Sequence, residues 1–214
     1  MSLSDEELER YARHIVLPQL GGVGQRKLKS ASIAVVGAGG IGSAVIPALA
    51  GAGIGKLTII DCDIVELANL HRQPLFAEAD ERQPKAVLAA RFVERLNSFV
   101  EVDPKQERIG SDNASGLLAG HDLVIDGSDN FATRLAVSDA SVGLGIPLIS
   151  AAAVQFQGQV GLFDRKPCYR CFVGDAFDAD DCDNCAELGV LGALTAAVGG
   201  FAARAASLSL LARA

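Results

Sequence analysis

The chain has 214 residues, half of them apolar, which is enough for one well-filled core of the size common among α/β domains. Its 19 basic and 26 acidic residues give a net charge of −7, which argues against duplex nucleic acid as a partner because phosphate contacts need a basic surface. The N-terminal residues are acidic and helix-like, unlike a secretory signal. These features predict one cytoplasmic domain that does not bind nucleic acid.

The pattern of the chain changes at about residue 30. Residues 4–30 have the pattern of one or two short amphipathic helices joined by GGVG, so residues 1–30 are expected to form an N-terminal helical extension. SIAVVGAGGIG then joins an apolar β-branched run to several glycines, and small apolar residues follow over positions 43–52. Together with the next apolar run, KLTIIDCD, these segments predict a strand, a helix and a second buried strand.

Helical and strand patterns continue to alternate through the rest of the chain. Apolar residues recur at helical spacing over positions 85–98, directly after Pro84, a residue that commonly opens helices. DNASGLLAG and FATRLAVSDASVGLG also favour helices, whereas VEVDP, LVIDG, PLISAA and QGQVGLFD favour short strands. This alternation predicts a single α/β domain over residues 1–214, with a Rossmann-like, doubly wound, mainly parallel sheet that helices cover on both faces.

The longest apolar run covers positions 188–203 and is rich in glycine and alanine. It is shorter than the roughly 20 residues that span a bilayer. Its small side chains also lower the free energy gained on transfer to lipid. We therefore expect a buried helix here and no association with a membrane.

A glycine motif follows the first predicted strand and opens the next helix. Gly37, Gly39 and Gly42 have the spacing G-x-G-x-x-G, which permits a tight turn and the close approach of a phosphate to a helix N-terminus. Asp61 ends the second strand, where its carboxylate can accept hydrogen bonds from ribose hydroxyls. These residues predict a nucleotide site, without separating NAD from ATP. The alternative is that the glycines serve only the packing of helix against strand.

More polar residues are expected at the same edge of the sheet, because the carboxyl ends of parallel strands and the starts of helices gather there. Asn69, Arg72 and Gln73 lie in ELANLHRQ, Lys85 opens a predicted helix, and Asp129 follows the strand LVIDG. Lysine and arginine offset phosphate charge, and a carboxylate can hold Mg²⁺. This set of residues therefore favours ATP with Mg²⁺ over a dinucleotide.

Longer segments of the chain resemble a known family. They are RYARHIVLPQLG, GAGGIGS, IIDCDIVELANLHRQ, PKA, DLVIDGSDNFATR, GQVGLFD, CYRC and CAELGVLG, in consistent order from Glu7 to about Leu211. Together they are similar to the MoeB/ThiF/HesA adenylyltransferases, which are bacterial relatives of ubiquitin-activating enzymes. The resemblance implies that ATP and Mg²⁺ are used to convert the C-terminal Gly-Gly carboxylate of a ubiquitin-like sulfur-carrier protein into an acyl-adenylate. Pyrophosphate would be released, and the carrier would serve molybdopterin or thiamine biosynthesis.

The same resemblance implies a role for each matching residue. Asp61 is expected to bind ribose, Asp129 to hold Mg²⁺, and Arg13 to reach the ATP of the neighbouring protomer in a homodimer. The implied catalytic residues are Arg13, Arg72, Lys85 and Asp129, and the implied nucleotide-binding residues are Gly37, Gly39, Gly40, Gly42, Asp61, Asn69, Arg72, Gln73, Lys85, Asp129 and Asn130.

Four of the five cysteines form two C-x-x-C pairs. Cys168 and Cys171 lie in CYRC, Cys182 and Cys185 lie in CDNC, and four thiolates at this spacing can close a tetrahedral zinc site. Residues 166–187 are therefore expected to form a zinc-binding segment. In the family that the chain resembles, the partner of CYRC is a second pair near a longer C-terminus. Either CDNC replaces that pair here, or the zinc site of this chain is incomplete.

Cys185 has a second candidate role. It matches the family cysteine that forms a covalent link to the carrier protein, and since a zinc-bound thiolate is a poor nucleophile, the two roles are alternatives. Cys62, which lies between two aspartates, is expected to be a small packing residue.

Two other classes of function compete with this interpretation. The same glycines and Asp61 would serve a nicotinamide-dependent oxidoreductase, and a scaffold could keep the nucleotide-binding fold without turnover. A hydrolytic triad has no support, because none of the three histidines lies in a motif that pairs it with serine or cysteine.

Overall fold

A computed structural model describes residues 2–174 and 188–212 of the chain. The helices in chain order are α1 Asp5–Arg10, α2 Ala12–Ile15, α3 Gly21–Ser30, α4 Gly42–Ala52, α5 Lys85–Leu96, α6 Ala114–Leu118, α7 Phe131–Leu144, α8 Tyr169–Val173 and α9 Gly192–Ala212. The strands are β1 Ser32–Val36, β2 Lys56–Ile60, β3 Glu101–Lys105, β4 Leu123–Asp126, β5 Leu148–Val154 and β6 Gln157–Phe163. Short 3-10 turns lie at Leu67–Asn69 and Glu78–Asp80.

The strands form one sheet in the order β3-β2-β1-β4-β5-β6. Strands β1 to β5 are parallel, and β6 pairs with β5 in the antiparallel direction. The strand order reverses between β1 and β4, so the loops that follow these two strands flank one crevice at the carboxyl edge of the sheet. This arrangement confirms the prediction of a doubly wound, mainly parallel sheet.

Side chains of the central strands alternate between two apolar clusters, one on each face of the sheet. Ile33 and Val35 of β1 belong to the cluster that α4, α5 and α9 cover, whereas Ala34 and Val36 belong to the cluster on the side of α6 and α7. All four of these residues are at most 2 % exposed. Burial on both faces explains why the strand has an unbroken apolar sequence rather than an alternating one.

The N-terminal helices differ from the prediction in one respect. The segment GGVG was expected to join two helices, but it forms the start of α3. A Cβ atom at Gly24 would lie 2.8 Å from Cδ2 of Leu211, so this glycine lets α3 pack closely against α9. The need for glycine at position 24 therefore comes from contact with a distant helix, whereas Gly21 has a φ of +58°.

The last helix, α9, is long and apolar enough to cross a bilayer by length and composition alone. It packs against α4 and β5 through buried residues that include Val198, Ala202 and Ala206. Its outer side is different, since Phe201 is 64% exposed and Leu208 is 45% exposed. The prediction of a buried helix is therefore correct for one side of α9 only.

Candidate functional site

The loop between β1 and α4 requires glycine at two of its three motif positions, Gly37 and Gly42. Gly37 has a φ of +90°, and a Cβ atom there would lie 3.1 Å from the backbone of Gly127, which follows β4. A Cβ atom at Gly42 would lie 2.2 Å from the carbonyl oxygen of Gly37, closer than any such contact allows. Gly40 in turn contacts Thr195 of α9, where a Cβ atom would come within 3.1 Å. The loop therefore brings the N-terminus of α4 to the crevice between β1 and β4.

Asp61 follows β2 and its carboxylate is held against this glycine loop. Its Oδ2 atom accepts a hydrogen bond of 2.7 Å from the backbone N–H of Ala38, and its Oδ1 atom accepts one of 2.8 Å from that of Asp63. The residue is only 9% exposed. Burial raises the pKa of the Asp61 carboxyl, although both backbone hydrogen bonds act in the opposite direction. The structure thus places the predicted ribose-binding carboxylate beside the predicted phosphate-binding loop.

Lys85, the first residue of α5, supplies a buried positive charge close to Asp61. Its side chain is 5% exposed, and its Nζ atom lies 3.4 Å from Oδ2 of Asp63. The Lys85 cation also acts on Asp61, where it favours the ionised carboxylate. Asp63 was not predicted as a site residue, although its position two residues after Asp61 could have drawn attention to it.

Gln73 is the member of the segment ELANLHRQ that reaches the glycine loop. It is 3% exposed, its Oε1 atom has no hydrogen-bond partner, and its Nε2 atom lies 3.6 Å from the position of a Cβ atom on Gly39. Asn69 and Arg72 make local contacts instead, with Glu66 at 3.2 Å and with His71 at 3.5 Å, respectively. Gln73 therefore joins the cluster, whereas the other two predicted residues lie nearer to the solvent.

The loop after β4 forms the other side of the crevice. Asp129 is exposed, and the side chain of Asn130 caps α7 by accepting a hydrogen bond of 2.8 Å from the N–H of Thr133. This capping role was not predicted from the sequence. The predicted contacts of Asp129 with Mg²⁺ and of Asn130 with nucleotide stay predictions.

A buried polar network, which was not predicted from the sequence, fixes this second loop. Asp126 is fully buried and its Oδ1 atom accepts hydrogen bonds from the N–H and the hydroxyl of Ser128, at 2.9 and 2.6 Å. Arg134 donates to the carbonyl oxygen of the same serine and, at 3.1 Å, to the hydroxyl of Ser150. Asp126 and Arg134 thus hold Ser128, the neighbour of Asp129, from both sides.

Arg13 lies on α2, apart from the residues described so far. It is exposed, and its neighbour Tyr11 packs beneath Gly53, at the end of α4 that is opposite to the glycine loop. Within one chain, the structure therefore does not bring Arg13 to the crevice.

The first cysteine pair lies at the start of α8. The sulfur atoms of Cys168 and Cys171 are 3.5 Å apart, and a hydrogen bond from the backbone N–H of Cys171 lowers the pKa of the Cys168 thiol. Cys182 and Cys185 lie outside the described residues, so the predicted set of four zinc ligands stays a prediction. Within residues 2–174 and 188–212, no group of three or more His, Cys, Asp or Glu side chains is arranged to hold a metal ion.

Cys62, which was expected to be a small packing residue, is not fully buried. Its side chain is partly exposed, and its sulfur atom lies 3.5 Å from Oδ1 of Asp63. Burial and the nearby Asp63 carboxylate raise the pKa of the Cys62 thiol, so the thiol form is favoured.

A glycine loop between β1 and α4, with a carboxylate at the end of β2, defines an α/β protein with a crevice of the kind in which nucleotides bind. The model of the ThiF family matches residues 11–213, which is nearly the whole chain. The chain therefore belongs to the ThiF family.

Several known proteins are similar to this chain over most of its length. The sulfur carrier protein adenylyltransferase of Thermus thermophilus is 46% identical over 178 residues, which are 80% of this chain and 66% of that protein. The SAMP-activating enzyme E1 of Haloferax volcanii is 43% identical over 177 residues, 82% of this chain and 66% of that protein. The crystal structure of E. coli MccB with ATP has a TM-score of 0.83 and 25% identity, over 97% of this chain and 64% of that one. The chain thus spans about two thirds of the length of these three relatives.

Proposed function

We propose that this protein is an ATP-dependent adenylyltransferase, which activates the C-terminal carboxylate of a small ubiquitin-like sulfur-carrier protein that ends in Gly-Gly. The observation that carries the proposal is the convergence of the glycine loop, the buried Asp61 carboxylate and the buried Lys85 cation at one edge of the sheet. The names of the Thermus thermophilus and Haloferax volcanii relatives support the same class of reaction.

The residues in the crevice suit ATP. The glycine loop presents backbone N–H groups and a helix N-terminus to phosphate oxygens, and the Asp61 carboxylate suits the ribose hydroxyls. Lys85 and Arg72 supply positive charge for the phosphates, and Gln73 has a buried carbonyl oxygen that still lacks a partner. A dinucleotide carries less phosphate charge, so the buried lysine favours the transferase over a nicotinamide-dependent oxidoreductase.

The proposed reaction needs no general base. The carrier's carboxylate is already ionised at neutral pH, and one of its oxygens attacks the α-phosphorus of ATP. The bond from that phosphorus to the bridging oxygen of the β-phosphate breaks, and pyrophosphate leaves with the bond's electron pair. Asp129 would hold Mg²⁺, which offsets charge on the departing pyrophosphate. The protein's main contribution is then to align the two substrates.

We propose further that two chains form a homodimer, in which Arg13 of one protomer completes the site of the other. Two observations support a partner near Arg13. Leu17 and Leu208 are exposed, and they line a groove of about 650 Å³ between the N-terminal helices and α9. Phe201, further along the outer side of α9, is also exposed. Exposed apolar side chains that line a groove commonly mark a protein interface.

The cysteines are proposed to bind one structural zinc ion through Cys168, Cys171, Cys182 and Cys185. The 3.5 Å separation of the first two sulfur atoms is compatible with ligands of one metal ion. The alternative leaves Cys185 free for a covalent link to the carrier. Metal analysis and thiol titration of the folded protein decide between them: one zinc per chain with an unreactive Cys185 supports the metal site, whereas metal-free protein or rapid alkylation of Cys185 excludes it.

Pyrophosphate exchange into ATP tests the proposed function. Purified protein is incubated with ATP, Mg²⁺ and labelled pyrophosphate, together with candidate carriers from molybdopterin and thiamine biosynthesis. Carrier-dependent exchange is expected, and a carrier that lacks its last glycine is the matched control. ATP binding without exchange for any carrier would favour a scaffold, and absorbance changes with a nicotinamide cofactor would favour the oxidoreductase.

A further inference from the structure

Asp63 connects the two parts of the site that carry charge, yet neither the glycine motif nor the predicted phosphate-binding residues include it. We infer that Asp63 is a positioning residue, whose carboxylate holds the Lys85 ammonium where it binds the nucleotide, while its backbone N–H holds the Asp61 carboxylate. This inference rests on the proposed nucleotide-binding function.

The backbone of Asp63 makes hydrogen bonds through both its N–H group and its carbonyl oxygen. Its N–H donates to Oδ1 of Asp61 at 2.8 Å, and its carbonyl oxygen accepts from the N–H of Lys85 at 3.0 Å. The next residue, Ile64, forms an antiparallel bridge with Pro84. The segment after β2 is thereby tied to the first residue of α5, although 22 positions separate Asp63 from Lys85 in the sequence.

The side chain of Asp63 adds a charge to this connection. Its Oδ2 atom lies 3.4 Å from Nζ of Lys85, a side chain that is only 5% exposed. A buried ammonium group is costly unless an opposite charge or a hydrogen-bond acceptor accompanies it. Asp63 is itself 57% exposed, so water stabilises its carboxylate without competing for the buried lysine. Asp63 thus supplies the counter-charge that orients Lys85 before ATP arrives.

Affinity for ATP, measured by isothermal titration calorimetry in the presence of Mg²⁺, tests this role. Asp63→Ala and the isosteric Asp63→Asn should each weaken ATP binding about tenfold, the effect of losing one charge-assisted contact. In a Lys85→Ala background, the same Asp63→Ala change should alter affinity less than about twofold, because the side chain through which Asp63 acts has gone. Asp63→Glu, which keeps the carboxylate, should recover part of the lost affinity.

The control is Asp103→Ala, which removes an exposed ion pair of similar length, 3.2 Å to Lys105, on the edge strand β3. It should bind ATP as the wild type does.

In pyrophosphate exchange, Asp63→Ala should raise the KM for ATP more than it lowers kcat, and thermal unfolding should show that the variant is folded. Unchanged ATP affinity in Asp63→Ala, or an equal loss in both lysine backgrounds, would overturn the inference. A wild-type protein that binds no ATP would instead refute the proposed function.

Discussion

The two sides of the crevice are built differently. On the β1–β2 side, Asp61, Gln73 and Lys85 are all less than 10% exposed, and backbone or ion-pair contacts hold Asp61 and Lys85. On the β4 side, Asp129 is exposed, and what is buried is the network of Asp126 and Arg134 behind it. One side therefore presents prearranged functional groups, whereas the other presents an exposed carboxylate on a firmly supported loop.

This difference indicates which part of the site depends on partners. Burial of a polar group without contacts inside the folded chain is unfavourable, and on this side only the Oε1 atom of Gln73 lacks such a contact among the three residues. An exposed carboxylate can stay hydrated until a substrate or a metal ion replaces the water. The β1–β2 side should thus bind nucleotide by itself, whereas the β4 side and Arg13 should matter mainly when the complete reaction is assembled.

The largest expected effect on activity is that of replacing Asp129, on the exposed β4 side of the crevice. Asp129→Ala should reduce pyrophosphate exchange by about 10³-fold, since the proposed Mg²⁺ ligand acts on charge that develops in the transition state. Because the residue is exposed, the fold and the melting temperature should hardly change. Asp112→Ala, at another exposed aspartate, is the control and should exchange normally. Near-normal exchange by folded Asp129→Ala protein would exclude this role.

Mixing two inactive variants tests whether the site is shared between protomers. Arg13→Ala and Asp129→Ala subunits, mixed in equal amounts, should regain roughly a quarter of wild-type exchange, because half of randomly formed dimers are mixed and each has one complete site. Subunit exchange is verified with differently tagged chains. Failure to regain activity after such exchange would show that Arg13 does not act across an interface.

A third prediction concerns the glycine loop. Gly42→Ala should weaken ATP binding by more than about tenfold and destabilise the fold by roughly 1–3 kcal/mol, because the new Cβ atom meets backbone that cannot move freely. Gly51→Ala, in the same helix but with nothing within 4 Å of its Cβ position, is the matched control. It should stabilise the protein by about 0.5–1 kcal/mol. Calorimetry measures the free energy of unfolding and the affinity for ATP of both variants. Equal values for the two variants would show that the crevice does not require glycine at position 42.

The smallest expected effect is a pH dependence due to Asp61. Burial raises the pKa of its carboxyl, so the ionised form that accepts ribose hydroxyls is lost at a higher pH than for an ordinary aspartate. ATP affinity should fall, by at most about tenfold per pH unit, as the pH drops through this raised pKa. The contribution of Asp61 to stability has the opposite sign, since the native state becomes less stable as the carboxyl ionises. The Asp61→Asn variant should bind ATP more weakly, and its affinity should not show this pH dependence. If its affinity had the same pH profile as that of the wild type, the pH dependence would belong to another group.

The sequence allowed the sheet and the glycine loop to be predicted because their signals are local. Gly37 and Gly42, which contact each other in the structure, lie within one six-residue motif, and Asp61 directly follows its strand. Asp63 and Arg134 were missed because their partners, Lys85 and Ser150, are 22 and 16 positions away. Apart from the closeness of Asp63 to Asp61, no local pattern distinguishes these two residues from ordinary surface charges.

Tertiary packing also accounts for the errors at the two ends of the described chain. Gly24 serves contact with Leu211, which no pattern within residues 4–30 could indicate. The mostly apolar sequence of α9 predicted a buried helix, but one side of this helix is exposed at Phe201. A helix that is apolar on every side can be placed against a sheet, but its sequence does not show which side faces outward.

The first turn of α9 has a practical consequence for engineering this protein. A Cβ atom at Gly192 would lie 2.4 Å from the carbonyl oxygen of His71, and Thr195 lies against Gly40 of the glycine loop. This turn therefore forms part of the wall of the nucleotide crevice, although it lies near the end of the chain. The contact continues along the helix, since a Cβ atom at Gly199 would lie 2.6 Å from the carbonyl oxygen of Ile41 in the same loop. Stabilising substitutions in the last helix should therefore leave Gly192, Thr195 and Gly199 unchanged, so that the shape of the crevice is kept.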